Sequence, residues 1–156
     1  MKTGKFHRFT NNLFSVFLVC LAILIIVTPV FANSSTWSFL AFYDGRYLSG
    51  KANGVFHTLT AGSLTNSGSI WVTMIMGGSP NGLQPWYFEV WKKNTIFDQK
   101  ICTSNPVYPN VMVGRQYATT FSKNCGNIPD GKYYLVIWRS ESDNREVQGS
   151  GTLTTR

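Results

Sequence analysis

The residues best suited to bind something lie in "WYFEVWKK", Trp86 to Lys93. Alternate residues of a strand share a face, so Tyr87, Glu89 and Trp91 would present a carboxylate between two aromatic rings. Such a set can hold a sugar: the rings stack on its apolar face and the carboxylate accepts from its hydroxyls. Two loops add candidates. "GGSPNGLQPW" delivers Trp86 after Pro85 at the mouth of a loop, where an exposed ring would anchor a partner and its truncation would cost the fold little. "NPVYPN" holds Tyr108 between Pro106 and Pro109, so its ring would lose little entropy on binding. The plainer alternative at both loops is turn chemistry, with the ring folded back onto a sheet.

Catalytic constellations are not visible. His57, in "VFHTLT", is the one histidine after residue 32. A catalytic histidine needs a nucleophile or a second acid–base group in reach, and no G-x-S-x-G context supplies one. A two-histidine mechanism and a histidine-rich zinc site are excluded by count. The seven carboxylates are Asp44, Glu89, Asp98, Asp130, Glu141, Asp143 and Glu146. Asp44 and Asp130 precede glycines and read as turn residues. Glu141, Asp143 and Glu146 share a short loop with Arg139 and Arg145, which reads as a solvated charge cluster. Calcium would accept such ligands, but the loop lacks an EF-hand pattern and the arginines compete. Glu89 alone does not make the carboxylate pair of a glycosidase. The expectation is a protein that is not an enzyme and uses no metal and no cofactor.

The elements that would position these residues are strands. "WSFLAFY" leads into Asp44-Gly45, a hairpin signal. "VFHTLT" is followed by "AGSLTNSGS", and then "SIWVTMIM" stops at the breaker-rich "GGSPNGLQP". "WYFEVWKK", "TIFDQKICT" and "RQYATTF" come next. "KNCGNIPDG" reads as a turn into "KYYLVIWRS", and "VQGSGTLTT" ends the chain. Strands at spacings near ten residues, with no helical period, predict an all-β fold: one antiparallel β-sandwich, jelly-roll or Ig-like, of about eight strands.

"YYLVIWRS", Tyr133 to Ser140, echoes "WYFEVWKK": each has a Tyr four residues before a Trp and a cation after it. Tyr134, Val136 and Trp138 would share one face, and Tyr133, Leu135 and Ile137 the other. The echo is read first as two core strands, one in each sheet, with the cation marking the exit from the core. Trp91→Ala and Trp138→Ala would then both unfold the protein. The alternative is an aromatic platform on the Tyr87–Glu89–Trp91 face.

The first thirty-two residues read as a separate segment. Lys2, Lys5 and Arg8 precede the apolar run "LFSVFLVCLAILIIV", and Val30 and Ala32 suit a cleavage site, so residues 1–32 are expected to be a secretory signal peptide. The alternative is an uncleaved anchor. The long basic leader is typical of Gram-positive secretion. Residues 33–156 are expected to form one secreted, extracellular domain with no transmembrane segment. Losing the three leader cations and no carboxylate takes the formal charge from +7 to +4. The remaining cations are scattered along the chain, which does not suit nucleic acid. Cys20 leaves with the leader. Cys102 and Cys125 remain, and a pair in an exported chain predicts a disulfide.

The order "FHTLTAGSLTNSGSIWVTMIM", "PWYFEVWKK", "GNIPDGKYYLVIWRS" and "GSGTLTT" resembles bacterial secreted β-sandwich modules of the pre-peptidase C-terminal type. In those a strand enters through "LTAG" and a late G-x-Y-Y opens a central strand, here Gly131, Tyr133 and Tyr134. The acidic residues of an early strand are missing apart from Glu89, and the disulfide is a departure. The resemblance implies a non-catalytic accessory module. Together these readings give an extracellular binding module, with a cell-wall or surface glycan as its ligand. A small cationic membrane-active protein is the alternative.

Overall fold

The computed structural model describes residues 32–77 and 82–156. The expected signal peptide lies outside the described residues. Among the described residues are nine strands: β1 (Asn33–Ala41), β2 (Tyr47–Ser49), β3 (His57–Leu59), β4 (Gly62–Ile75), β5 (Tyr87–Lys92), β6 (Gln99–Thr103), β7 (Thr119–Ile128), β8 (Gly131–Trp138) and β9 (Arg145–Thr155). They form two antiparallel sheets. One has the order β1-β9-β4-β7; the other has the order β2-β8-β5-β6, with β3 also on β8. β2 and β3 pair with opposite ends of β8, so they act as one edge strand interrupted by a loop. Counted that way, the described residues form an eight-stranded jelly-roll sandwich. No helix among the described residues is long and apolar enough to cross a membrane.

The core lies between the sheets. Phe88, Val90, Leu135 and Ile137 pack against Trp37, Ile70, Val72 and Leu153, each worth about 1.5–3 kcal/mol of transfer free energy. Phe88 stacks on Phe121 with ring centroids 4.3 Å apart, and Trp37 lies 5.5 Å from Phe88.

Trp37 explains why part of this fold is hard to read from sequence. It pairs with Gly151 on β9, which pairs with Gly68 on β4. Its indole lies across both: a Cβ at Gly151 would sit 2.3 Å from the ring, and one at Gly68 2.5 Å. Its Nε1 donates to Asn66 Oδ1 at 3.2 Å. One tryptophan thus fills the space over three strands, and inner positions of β4 and β9 carry glycine and asparagine instead of apolar side chains. "AGSLTNSGS" therefore belongs, from Gly62 onward, to the single strand β4 with "SIWVTMI".

Other boundaries also differ from expectation. "KNCGNI" is not a turn but the end of β7. A bulge opposite Leu64/Thr65 interrupts the ladder there. Gly126 adopts φ 77° beside it, a left-handed conformation that favours glycine, and Asn124 Oδ1 accepts its N–H at 2.7 Å. Arg115–Tyr117 is a 3-10 turn, so the expected strand in "RQYATTF" begins only at Thr119. In "TIFDQKICT" the strand starts at Gln99, leaving Ile96 and Phe97 on an exposed bend.

The two flanks of the sandwich are closed differently. β6 and β7 are edge strands of opposite sheets, and the Cys102–Cys125 disulfide joins them with a Cα–Cα distance of 5.4 Å. Replacing both cysteines by serine is expected to lower unfolding free energy by about 3 kcal/mol, the loop-closure entropy restored to the unfolded chain. Urea denaturation with and without reductant checks this; equal midpoints would refute it. On the other flank β1 faces β3, where Ser35 Oγ lies 2.8 Å from His57 Nδ1. A cleft of about 160 Å³ opens there, lined by Trp37, Phe39, Leu48, Val55, Leu135 and Ile137.

Candidate functional site

β5 and β8 are hydrogen-bonded neighbours in one sheet, not strands of different sheets. Antiparallel pairing of two strands that each carry Tyr-x-x-x-Trp sets the Tyr of one opposite the Trp of the other, twice. Tyr87 pairs with Trp138, and Trp91 with Tyr134. The rings of the first pair stack at 4.4 Å and 19°; those of the second lie nearly parallel at 6.4 Å and 13°. Both pairs point away from the inter-sheet core, whose members on these strands are Phe88, Val90, Tyr133, Leu135 and Ile137. The expectation that Trp91 and Trp138 are core residues is overturned. They are half-buried on the outer face, which is the aromatic platform the sequence offered as its alternative.

β2 extends the first row. Tyr47, 65% exposed, pairs with Trp138. Tyr47, Trp138 and Tyr87 therefore stand side by side on three strands, a row roughly 10 Å wide at the usual strand spacing. The second row lies four residues along the strands, roughly 13 Å away. There Phe56 meets the Tyr134 ring edge-on at 6.1 Å.

Glu89 lies between the rows and is 8% exposed. Trp91 Nε1 donates to its Oε2 at 2.8 Å, and Lys100 Nζ reaches its Oε1 at 3.3 Å. Both oxygens are engaged, so Glu89 orients the Trp91 indole and the Lys100 ammonium. Asp98 plays a similar part at the far end. It accepts from Lys51 Nζ at 2.6 Å, from the Asn94 backbone N–H at 3.0 Å and from Tyr134 Oη at 2.9 Å. The Lys51 bond first, then the Asn94 bond, hold its pKa down to about 2. Burial, and then the bond to Asp98, push the Tyr134 phenol up to about 12. At neutral pH Asp98 is therefore charged and Tyr134 protonated, and the second row keeps one arrangement.

Tyr87, Glu89 and Trp91 thus come together, and the other two candidates lie elsewhere. Trp86 is fully buried, so it is not the exposed anchor expected at a loop mouth. It pairs with Val107 as an isolated bridge, packs 5.6 Å from Phe39, and has the Arg139 guanidinium 4.7 Å over its ring. Tyr108 is exposed and lines a separate depression with Asn105, Thr120 and Ser122. Sequence reasoning did not select Tyr47, Tyr134 or Trp138 as site residues. The echo was the signal, and the missing step was to pair it with itself.

The loop "ESDNRE" is no solvated charge cluster. Asp143, Arg139 and Arg145 are buried. Asp143 Oδ1 bonds Arg139 and its Oδ2 lies 3.3 Å from Arg145 Nη1. Burial draws the Arg139 pKa below its ordinary value. Nor does Arg139 mark an exit from the core: it donates to the carbonyls of Gly45, Phe42, Tyr43 and Arg145, tying the β1–β2 turn to the β8–β9 loop. Two guanidinium groups thus occupy the Asp143 carboxylate. His57 is buried, which lowers its pKa, and its contact with Ser35 ties β3 to β1 across the two sheets.

No family model matches the chain, and no curated protein matches it. Among solved structures, the chain is similar to the following two. One is the infectious bursal disease virus VP2 subviral particle, at 12% identity and TM-score 0.47, with 83% of this chain covered but only 36% of that one. The other is the cleaved adhesin domain of Lys-gingipain from Porphyromonas gingivalis, at 13% identity and TM-score 0.40, with 76% of this chain and 73% of that one covered.

Proposed function

We propose that this chain is a secreted, non-catalytic binding module and that a glycan lies across the Tyr47–Trp138–Tyr87 row. The observation that supports this most is the row itself: three aromatic residues aligned across adjacent strands on an outer sheet face, the first mostly exposed. The exposed Tyr47 ring can stack on the C–H surface of a pyranose at little entropic cost, because few side-chain torsions are frozen, and the stacked Trp138–Tyr87 pair flanks it with one face of each ring already taken. The arrangement is preorganised, since the sheet fixes the spacing of the rings.

Binding of the purified domain to insoluble cell wall and to soluble polysaccharides tests this. Trp138→Ala is expected to weaken binding about tenfold or more while shifting Tm little, because the ring is half-buried outside the core. Unchanged affinity in Trp138→Ala and in Tyr47→Ala would refute the site.

A second reading, a membrane-active protein, draws on a different region. Phe42, Tyr43, Met74, Met76 and Met112 are exposed; Met74 lies near the end of β4 and Met76 just after it, close to where Val113 bridges to Val72. Dye release from phosphatidylglycerol vesicles at low protein concentration would favour that reading over the glycan module.

A further inference from the structure

We infer that the glycan is polyanionic, bearing carboxylate or phosphodiester groups that meet a lysine cluster around the second aromatic row; the inference rests on the platform being the binding site. Lys51, Lys93, Lys100 and Lys132 are dispersed in the sequence, and the fold gathers them. Lys93 N–H donates to Lys132 O at 2.8 Å, so these two residues are adjacent. Lys93 Nζ stands 4.6 Å over the Phe56 ring, which meets Tyr134. Lys100 Nζ stands 5.9 Å from the Trp91 ring, and Lys51 joins through Asp98, which also holds Tyr134. The ammonium groups of Lys51, Lys93 and Lys100 thus border Trp91, Tyr134 and Phe56, and Lys132 adjoins Lys93 through the backbone.

The charges are layered. The side chains of Asp98 and Glu89 are 9% and 11% exposed, whereas those of their partners Lys51 and Lys100 are 56% and 49% exposed. The carboxylates lie beneath and the ammoniums face outward. Lys93 and Lys132 are exposed, and among the described residues neither has a carboxylate within ion-pair distance. Asp130, in the turn before β8, is the remaining carboxylate near this end. A ligand lying on the first row and extending toward the second would therefore meet net positive charge at short range, where screening is weakest.

A nucleic acid would also bring negative charge and stacking. It is disfavoured because Tyr134 is only 5% exposed and the Phe56 and Trp91 rings each have an ammonium beside them, so the cationic half offers bases little stacking surface. The disulfide also suits an oxidising compartment, where acidic surface glycans are available.

The test uses the whole domain with four probes: polygalacturonate, a glycerol-phosphate polymer, neutral dextran, and a single-stranded oligonucleotide. One or both acidic polymers are expected to bind about tenfold tighter than dextran at low salt. That advantage should vanish between about 20 mM and about 500 mM salt. Lys93→Ala with Lys132→Ala should remove the advantage and leave dextran affinity unchanged. Trp138→Ala should weaken all glycans alike. Dextran binding equal to that of the acidic polymers, insensitive to salt and to the lysine changes, would overturn the inference while leaving the platform standing. Failure of every glycan would remove the platform reading as well. Preference for the oligonucleotide over both acidic polymers would also overturn the inference. The carboxylate and phosphodiester arms identify which acidic group is read.

Discussion

Trp86→Ala is expected to lower unfolding free energy by about 3–5 kcal/mol, a large part of the stability of a domain this size. Trp86 has no exposed surface, and Phe39 and the Arg139 guanidinium hold its ring. Truncation leaves a cavity that the strands on either side cannot close, because the backbone bonds between Trp86 and Val107 fix their separation. Urea denaturation followed by far-ultraviolet circular dichroism measures the effect. Trp138→Ala is the control and should cost about 1 kcal/mol, the stacking on Tyr87 and partial burial. Equal small losses in both variants would place Trp86 outside the core.

Arg139→Met is expected to cost about 3–5 kcal/mol, because it takes one of two guanidinium partners from the buried Asp143 carboxylate and leaves several carbonyls without their donor. The guanidinium reaches Gly45 O at 3.0 Å and Tyr43 O at 2.8 Å, besides the Asp143 carboxylate. Arg139→Lys should not restore stability, since one ammonium cannot reproduce a planar fork on several acceptors. Adding Asp143→Leu to Arg139→Met should cost less than the sum of the two single losses, because both singles break the same Arg139–Asp143 bond. A strictly additive double variant would show that the two residues are not coupled. Thermal and urea unfolding of the single and double variants settle the cycle.

These two residues also show where sequence reasoning failed. Proline and glycine around Trp86 marked a loop correctly, but a residue at the end of a loop can still be the first residue of the core. "ESDNRE" has the composition of a solvated loop. Its burial depends on carbonyls from the distant turn after β1, which converge on Arg139. Neither spacing nor charge in the local window carries that information.

The sequence by itself determined the all-β class, the count of about eight strands and the pairing of Cys102 with Cys125. Period-two alternation and turn residues are local properties, and with Cys20 read as part of the apolar leader Cys102 and Cys125 are left to pair. It also determined that Tyr87, Glu89 and Trp91 share a face, because that follows from strand geometry alone. Which face is outward was decided only by the tertiary structure. β5 and β8 are apolar on both sides, so alternation could not say which set meets the other sheet. Partner choice was likewise non-local: the pairing of β5 with β8 aligns Tyr with Trp twice and builds the platform. The sheet order β2-β8-β5-β6 draws Lys51, Lys93, Lys100 and Lys132 from separate stretches of chain to one end of the platform. The side chains of β5 were thus written in its own residues, and their role was set by the strand beside it.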